Sequence, residues 1–96
     1  MITSYRNANT YNLAHGIRVT EFLPFERIAL LKIRQLQAAS CLSDLRVPPG
    51  NRLESLKGDR DGQYSIRVND RYCVCFEWED GFASNVEIVD YHKCEV

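Results

Sequence analysis

The sequence predicts an α+β domain in which two short N-terminal helices pack on one face of a small antiparallel sheet of four to five strands. Three observations carry this expectation. Residues 25–40 put Phe25, Ile28, Ala29, Ile33, Leu36 and Ala39 on one helical face. Residues 63–69 and 71–79 alternate with period two: Tyr64, Ile66 and Val68, then Tyr72, Val74, Phe76 and Trp78, are apolar between polar neighbours. Turn-forming residues punctuate these segments, Pro48-Pro49-Gly50 before the sheet and Asp80-Gly81 inside it. With 96 residues the chain makes one domain, residues 1–96, with no room for a second core.

In chain order, residues 2–6 read as a short first strand. Asn9 or Thr10 is expected to cap a helix running to Ala14 and ended by Gly16. The helix over 25–40 follows; Leu30 and Leu31 fall off its apolar stripe, which predicts a second covered side. The hairpin between the two alternating strands is constrained by face matching. A two-residue Asn69-Asp70 turn sets Val68 against Arg71 and reverses the faces, whereas a three-residue loop, Asn69-Asp70-Arg71, sets Val68 against Tyr72 and Arg67 against Cys73. One face of the sheet is then covered and the other open. The last strand, 84–92, changes apolar phase between Ile88 and Val89. A bulge there is expected to move Asp90 and His92 to the open face beside Arg67.

Composition excludes several classes. Hydrophobic residues make up 45% and charged residues 26%, ordinary for a globular protein. The chain has no stretch of the roughly 18 apolar residues that a membrane span needs. MITSYRNANT lacks the pattern of a signal peptide, so a cytoplasmic location without membrane contact is expected. The four cysteines have no C-x-x-C spacing, so buried or half-buried free thiols are expected, with no metal and no cofactor. The net charge of −1 hides an uneven distribution: residues 46–71 carry Arg46, Arg52, Lys57, Arg60, Arg67 and Arg71, while residues 72–96 carry Lys93 as their one basic group. A phosphate-facing patch and a solvated mixed-charge surface both fit that distribution.

The open face or its rim gathers Lys57, Arg67, Asn69, Arg71, Asp90, Tyr91 and His92. This mixture suits phosphodiester cleavage without a metal. Such a reaction needs a base for a ribose 2′-hydroxyl, cations over the phosphate as charge builds, and an acid for the departing 5′-oxygen. Arg67 and Lys57 supply charge, close enough on this reading for one phosphate to touch both, and Asp90-Tyr91-His92 supplies acid and base groups. Arg52, Asn69 and Arg71 are the expected RNA-holding residues. Taken singly, each has an ordinary role too: Lys57 enters a turn, Arg67 solubilises a strand face, Tyr91 ends a core and His92 sits in a tail.

Three stretches, PPGNRLESLKGDRDGQYSIRVND, CFEWEDG and NVEIVDYH, resemble the HigB group of the RelE toxin superfamily and cover most of residues 48–92. The first 45 residues match only in general style. The resemblance implies a RelE-like fold and a toxin of a type II toxin–antitoxin module. It implies ribosome-dependent cleavage of mRNA in the A site of the small subunit, and neutralisation by a HigA-like helix-turn-helix antitoxin through which operator DNA is reached only indirectly. Carried over, the functional positions fall on Lys57, Arg67, Asn69, Asp90, Tyr91 and His92. Lys57 and Arg67 are the phosphate-stabilising pair and the Asp90/His92 end handles protons.

Two departures stand out. The group usually reads D-x-W-R-x-C-F where this chain has Asp70-Arg71-Tyr72-Cys73-Val74-Cys75-Phe76, so Cys73 replaces an arginine. Cys73 is expected as a free thiol opposite Arg67, and Cys73→Arg as a variant with faster cleavage. A catalytically weakened toxin-fold protein acting as a binding partner of its antitoxin is the alternative reading. The sequence pI near 6.1 is also low for proteins that are often basic, which predicts weaker attraction to ribosomal RNA.

Overall fold

A computed structural model describes residues 1–90. Helix α1 (Ala8–Ala14) and helix α2 (Glu26–Ala38) precede a sheet of β1 (Glu54–Ser55), β2 (Gln63–Arg67), β3 (Tyr72–Glu79) and β4 (Phe82–Asp90), antiparallel throughout in the order β1-β2-β3-β4. The core lies between the helices and one sheet face. It contains Leu13, Phe22, Ala29, Ile33, Leu36, Ile66, Val74, Phe76, Val86 and Ile88.

Helix α1 starts earlier than expected. Asn7, not Asn9 or Thr10, is its cap, with Oδ1 accepting the Thr10 N–H at 2.9 Å. Thr10 is fully buried, and its hydroxyl accepts the Ile88 N–H at 3.0 Å, tying α1 to β4. Pro24 shapes the next entry: a 3-10 helix, Thr20–Phe25, leads into α2, which is shorter than the expected 25–40. The α2 stripe also shifts. Ala29, Lys32, Ile33 and Leu36 are buried, whereas Ile28, assigned to the core by spacing, is 46% exposed. Leu31 is exposed and Leu30 half-buried.

The expected first strand is two isolated bridges, Ile2 to Ala83 and Tyr5 to Val86, both parallel to β4. The reason is a bulge in β4. Glu77 pairs with Ser84 and Cys75 with Glu87, and Asn85 takes a positive φ of 51°. Its N–H turns to Ser4 Oγ at 2.9 Å. The β1 strand was not anticipated. The β2–β3 hairpin follows the three-residue loop, with Arg67 opposite Cys73. Asp80 and Gly81, both at positive φ, form the two-residue turn between β3 and β4.

Beyond α2, a 3-10 turn (Leu42–Arg46) begins with Asp44 Oδ2 accepting the Ser40 and Cys41 N–H groups at 2.9 and 3.3 Å. The Ser40 backbone donor, followed by those of Cys41, holds the Asp44 carboxyl below its ordinary pKa. A depressed folded pKa contributes stability that is present above the unfolded carboxylate value, about 4, and is lost as pH falls through the folded one. The thermal midpoint should therefore drop more on acidification for the parent than for Asp44→Asn. Parallel drops in a pH series of melting curves count against it.

Candidate active site

The hairpin tip between β2 and β3 is organised by Asn69, whose Oδ1 accepts the N–H groups of Arg71 and Tyr72, both at 2.8 Å. The Val68 and Asn69 N–H groups both donate to the Tyr72 carbonyl, at 3.0 and 3.2 Å. Asn69 thus acts on the loop that aims its neighbours. Arg67, at the end of β2, donates from Nε to the Asn69 carbonyl at 3.2 Å and from Nη2 to Asp70. Asp70 is 95% exposed, so that ion pair is screened by water and is readily exchanged for another anion.

Asp90 reaches the same end of the sheet, from a different face than expected. Pairing is regular through Val74–Ile88, Cys73–Val89 and Tyr72–Asp90, because the bulge lies at Asn85 and not between Ile88 and Val89. Asp90 therefore shares the face of Tyr72 and Ile88. Arg71 bridges the gap by donating from Nε to Asp90 Oδ2 at 2.7 Å. This hydrogen bond, with the charge of Asp90, raises the Arg71 pKa further above its ordinary value. Arg67, Asn69, Arg71 and Asp90 are thus gathered at one end of the sheet. Tyr91 and His92 lie outside the described residues.

Lys57 is not beside Arg67. The register pairs Glu54 with Ser65 and Ser55 with Tyr64, and the Leu56 N–H donates to the Gln63 carbonyl. Lys57 is therefore level with Gly62, five residues along β2 from Arg67, or about 16 Å at a strand's rise. The Arg67 side chain also turns the other way, toward the hairpin tip. Arg52 precedes β1, directly after a 3-10 turn, Pro49–Asn51, and outside the paired register. Arg52 is exposed, in a left-handed conformation with φ 46°.

The expected open face is not open at its centre. Ser65, Cys73, Cys75 and Glu87 are all buried, and Leu56 and Val89 pack against the two cysteines. The phase change at Val89 thus reflects a small second apolar cluster. Cys73 lies on the face of Arg67, 3.6 Å from the Cys75 sulfur, and is fully buried. A thiol without solvent access does not gain reactivity from a neighbouring guanidinium. An arginine at position 73 has to displace Leu56 or Val89, so any gain in charge from Cys73→Arg is opposed by a packing cost. Cys41, expected to be at least half-buried, is exposed. Cys94 lies outside the described residues. Among those residues no group of three or more His, Cys, Asp or Glu side chains gathers to hold a metal ion.

Sequence reasoning missed Glu87, Arg60 and Arg6 on this face. Glu87 Oε1 is 2.7 Å from Arg60 Nη1 and 3.6 Å from Arg6 Nε, with its side chain 8% exposed. An alternating strand gives a buried glutamate no signature, since it occupies an ordinary polar position. A cavity of about 870 Å³, lined by Tyr5, Tyr11, His15 and Arg34 among others, lies away from the hairpin tip.

Two helices on a four-stranded antiparallel sheet, with arginines and a carboxylate gathered at one sheet end, define an α+β domain of the RelE-like class. The sequence model described as "RelE-like toxin of type II toxin-antitoxin system HigB" matches residues 24–92, and the chain belongs to this HigB-like toxin family. It is 48% identical over 68 residues to Toxin HigB-1 of Vibrio cholerae serotype O1, covering 71% of this chain and 70% of that protein. It is 37% identical over 60 residues to an uncharacterized protein of Haemophilus influenzae, covering 62% of this chain and 59% of that one. Membership implies a toxin with endoribonuclease activity and an antitoxin partner. The first 23 residues, which include α1, precede the match.

Proposed function

We propose that this toxin is a ribosome-dependent endoribonuclease that cuts mRNA in the A site by metal-free acid–base chemistry, and that a HigA-like helix-turn-helix antitoxin silences it in the cytoplasm. The observation that carries the reading is the convergence of Arg67, Asn69, Arg71 and Asp90 at one sheet end. Cleavage removes the proton from a ribose 2′-hydroxyl. That oxygen attacks the neighbouring phosphorus, a 2′,3′-cyclic phosphate forms, and the departing 5′-oxygen takes up a proton. Arg67 exchanges Asp70 for the phosphate and stabilises its growing charge. Arg71 holds the Asp90 carboxylate, and the Asp90-Tyr91-His92 segment supplies the proton-transfer groups. Lys57 and Arg52 contact RNA phosphates farther from the scissile bond.

The test is incubation of the purified protein with programmed ribosomes. Cleavage in the A site that disappears on adding the product of an adjacent helix-turn-helix reading frame supports the reading. Intact mRNA, together with normal growth on induction, leaves it without support. That second outcome favours a toxin-fold binding partner, a reading supported by the uncharged Cys73 where the family carries an arginine.

The antitoxin surface follows from α2. Ile28 and Leu31 are exposed at 46% and 51%, Leu23 at 42% adjoins them, and Arg27 and Arg34 flank the strip. Such a strip suits an amphipathic segment that is both apolar and acidic. The double variant Ile28→Glu, Leu31→Glu should weaken antitoxin binding at least about 10²-fold, in keeping with the loss of central apolar anchors. Its ribosomal cleavage should stay at the parent's rate. Unchanged affinity in a titration moves the antitoxin elsewhere.

A further inference from the structure

Lys57 opens a 3-10 turn, Gly58–Arg60, whose Arg60 N–H reaches back to the Lys57 carbonyl at 3.4 Å. The loop is closed at its base by the hydrogen bond from the Leu56 N–H to the Gln63 carbonyl, at 2.8 Å. Lys57, Gly58, Asp59, Asp61 and Gly62 are all exposed, and Arg60 is the half-buried member. Its guanidinium leaves the loop and crosses the sheet. Nη1 lies 3.2 Å from Gln63 Oε1 on β2 and 2.7 Å from Glu87 Oε1 on β4, two strands away. Glu87 stands opposite Cys75, in the buried centre of the face away from the helices.

The two ends of this contact differ physically. Glu87 is fixed by its pairing opposite Cys75 and by burial, so it is an anchor. The turn has little buried surface of its own, and short exposed loops of this kind open at small free-energy cost. A single guanidinium nitrogen, Nη1, shared between Gln63 on β2 and Glu87 on β4 restricts it in two directions at once. Lys57 is three residues away on the same turn, so the place of the backbone that carries it is set largely by where Arg60 is held.

We propose that the Arg60–Glu87 clasp is a positioning device for Lys57, fixing the turn so that the Lys57 ammonium meets an RNA phosphate; it deepens the reading of Lys57 given above and rests on it. Neither clasp residue touches the reacting atoms. Removing the clasp leaves the Lys57 side chain present but misplaced, and displacement by about 1 Å is enough to cost on the order of 10²-fold in rate.

The experiment is a double-mutant cycle on ribosome-bound mRNA cleavage with Arg60→Ala, Lys57→Ala and the pair. The clasp predicts a loss on the order of 10²-fold for Arg60→Ala alone and less than about twofold in the Lys57→Ala background. Arg60→Lys, which keeps a cation for Glu87 on a shorter side chain, should recover part of the loss, and only when Lys57 is present. Should Arg60→Ala fail to fold, Arg60→Lys is measured in both backgrounds by the same criterion. An equal loss in both backgrounds overturns the positioning role while leaving Lys57 a functional residue. Parent-level cleavage by Lys57→Ala itself overturns the reading of Lys57, and the clasp proposal with it. Amide hydrogen exchange over residues 56–62 gives the readout independent of activity. Faster exchange in Arg60→Ala is expected, and unchanged exchange shows that the clasp does not hold the turn.

Discussion

Arg67→Ala is expected to lower cleavage of ribosome-bound mRNA at least about 10²-fold, the usual cost of removing one preorganised charge donor, without unfolding the protein. The fold should survive because the side chain is outside the apolar core and hydrogen-bonds to the Asn69 carbonyl and the exposed Asp70. The loss should be large because Cys73, across the ladder, brings no charge where the family carries an arginine, so Arg67 has less support than its counterparts. Arg71 is already engaged with Asp90. Cleavage rates and melting curves should be measured on the same preparations, at one stated salt concentration, since phosphate contacts weaken steeply with salt. Near-parent cleavage by a folded Arg67→Ala removes this residue from the site.

Asn51→Leu carries the largest expected loss of stability. Asn51 is fully buried. Its Oδ1 accepts from Lys32 Nζ, and its Nδ2 donates to Gln35 Oε1 at 3.0 Å and to the Leu45 carbonyl at 3.1 Å. One amide thus joins α2 to the segment that enters the sheet. Burial lowers the Lys32 pKa, and the Asn51 oxygen is a hydrogen-bond acceptor for that buried nitrogen. Leucine leaves the nitrogen and the Leu45 carbonyl without this partner, a cost of about 3 kcal/mol. For a domain of this size that is a melting shift of roughly 15 °C. Adding Lys32→Met should return much of the loss, because the stranded polar group is then gone as well. A shift under about 4 °C for Asn51→Leu would show that water satisfies the site.

Much of the fold was legible because hydrophobic periodicity reports burial directly. The alternation of Tyr64, Ile66 and Val68 against Tyr72, Val74 and Phe76 fixed both strands. Face matching alone then selected the three-residue loop and the Arg67–Cys73 pairing. Asp80-Gly81 marked its turn because two consecutive positive φ angles favour such residues. The three motif stretches identified the family, and Arg67, Asn69, Arg71 and Asp90 do meet at one end of the sheet.

Other features belonged to the tertiary structure. Lys32 occupies the buried stripe of α2 and Ile28 leaves it, a reversal that depends on Asn51, 19 residues along the chain from Lys32, being there to receive the ammonium. The phase change at Val89 was read as a bulge because one covered face was assumed. Leu56 covers the second face as well, and the bulge went instead to Asn85, where the N-terminal segment pairs with β4. Glu87 looked like any strand glutamate until Arg60 crossed two strands to reach it. Local sequence determined which residues were apolar and where the chain turned, because those preferences act within a few residues. Which polar groups lie buried, and which cations share a site, was decided by partners distant in the chain, because a buried charge is tolerated only where the folded chain brings it a partner.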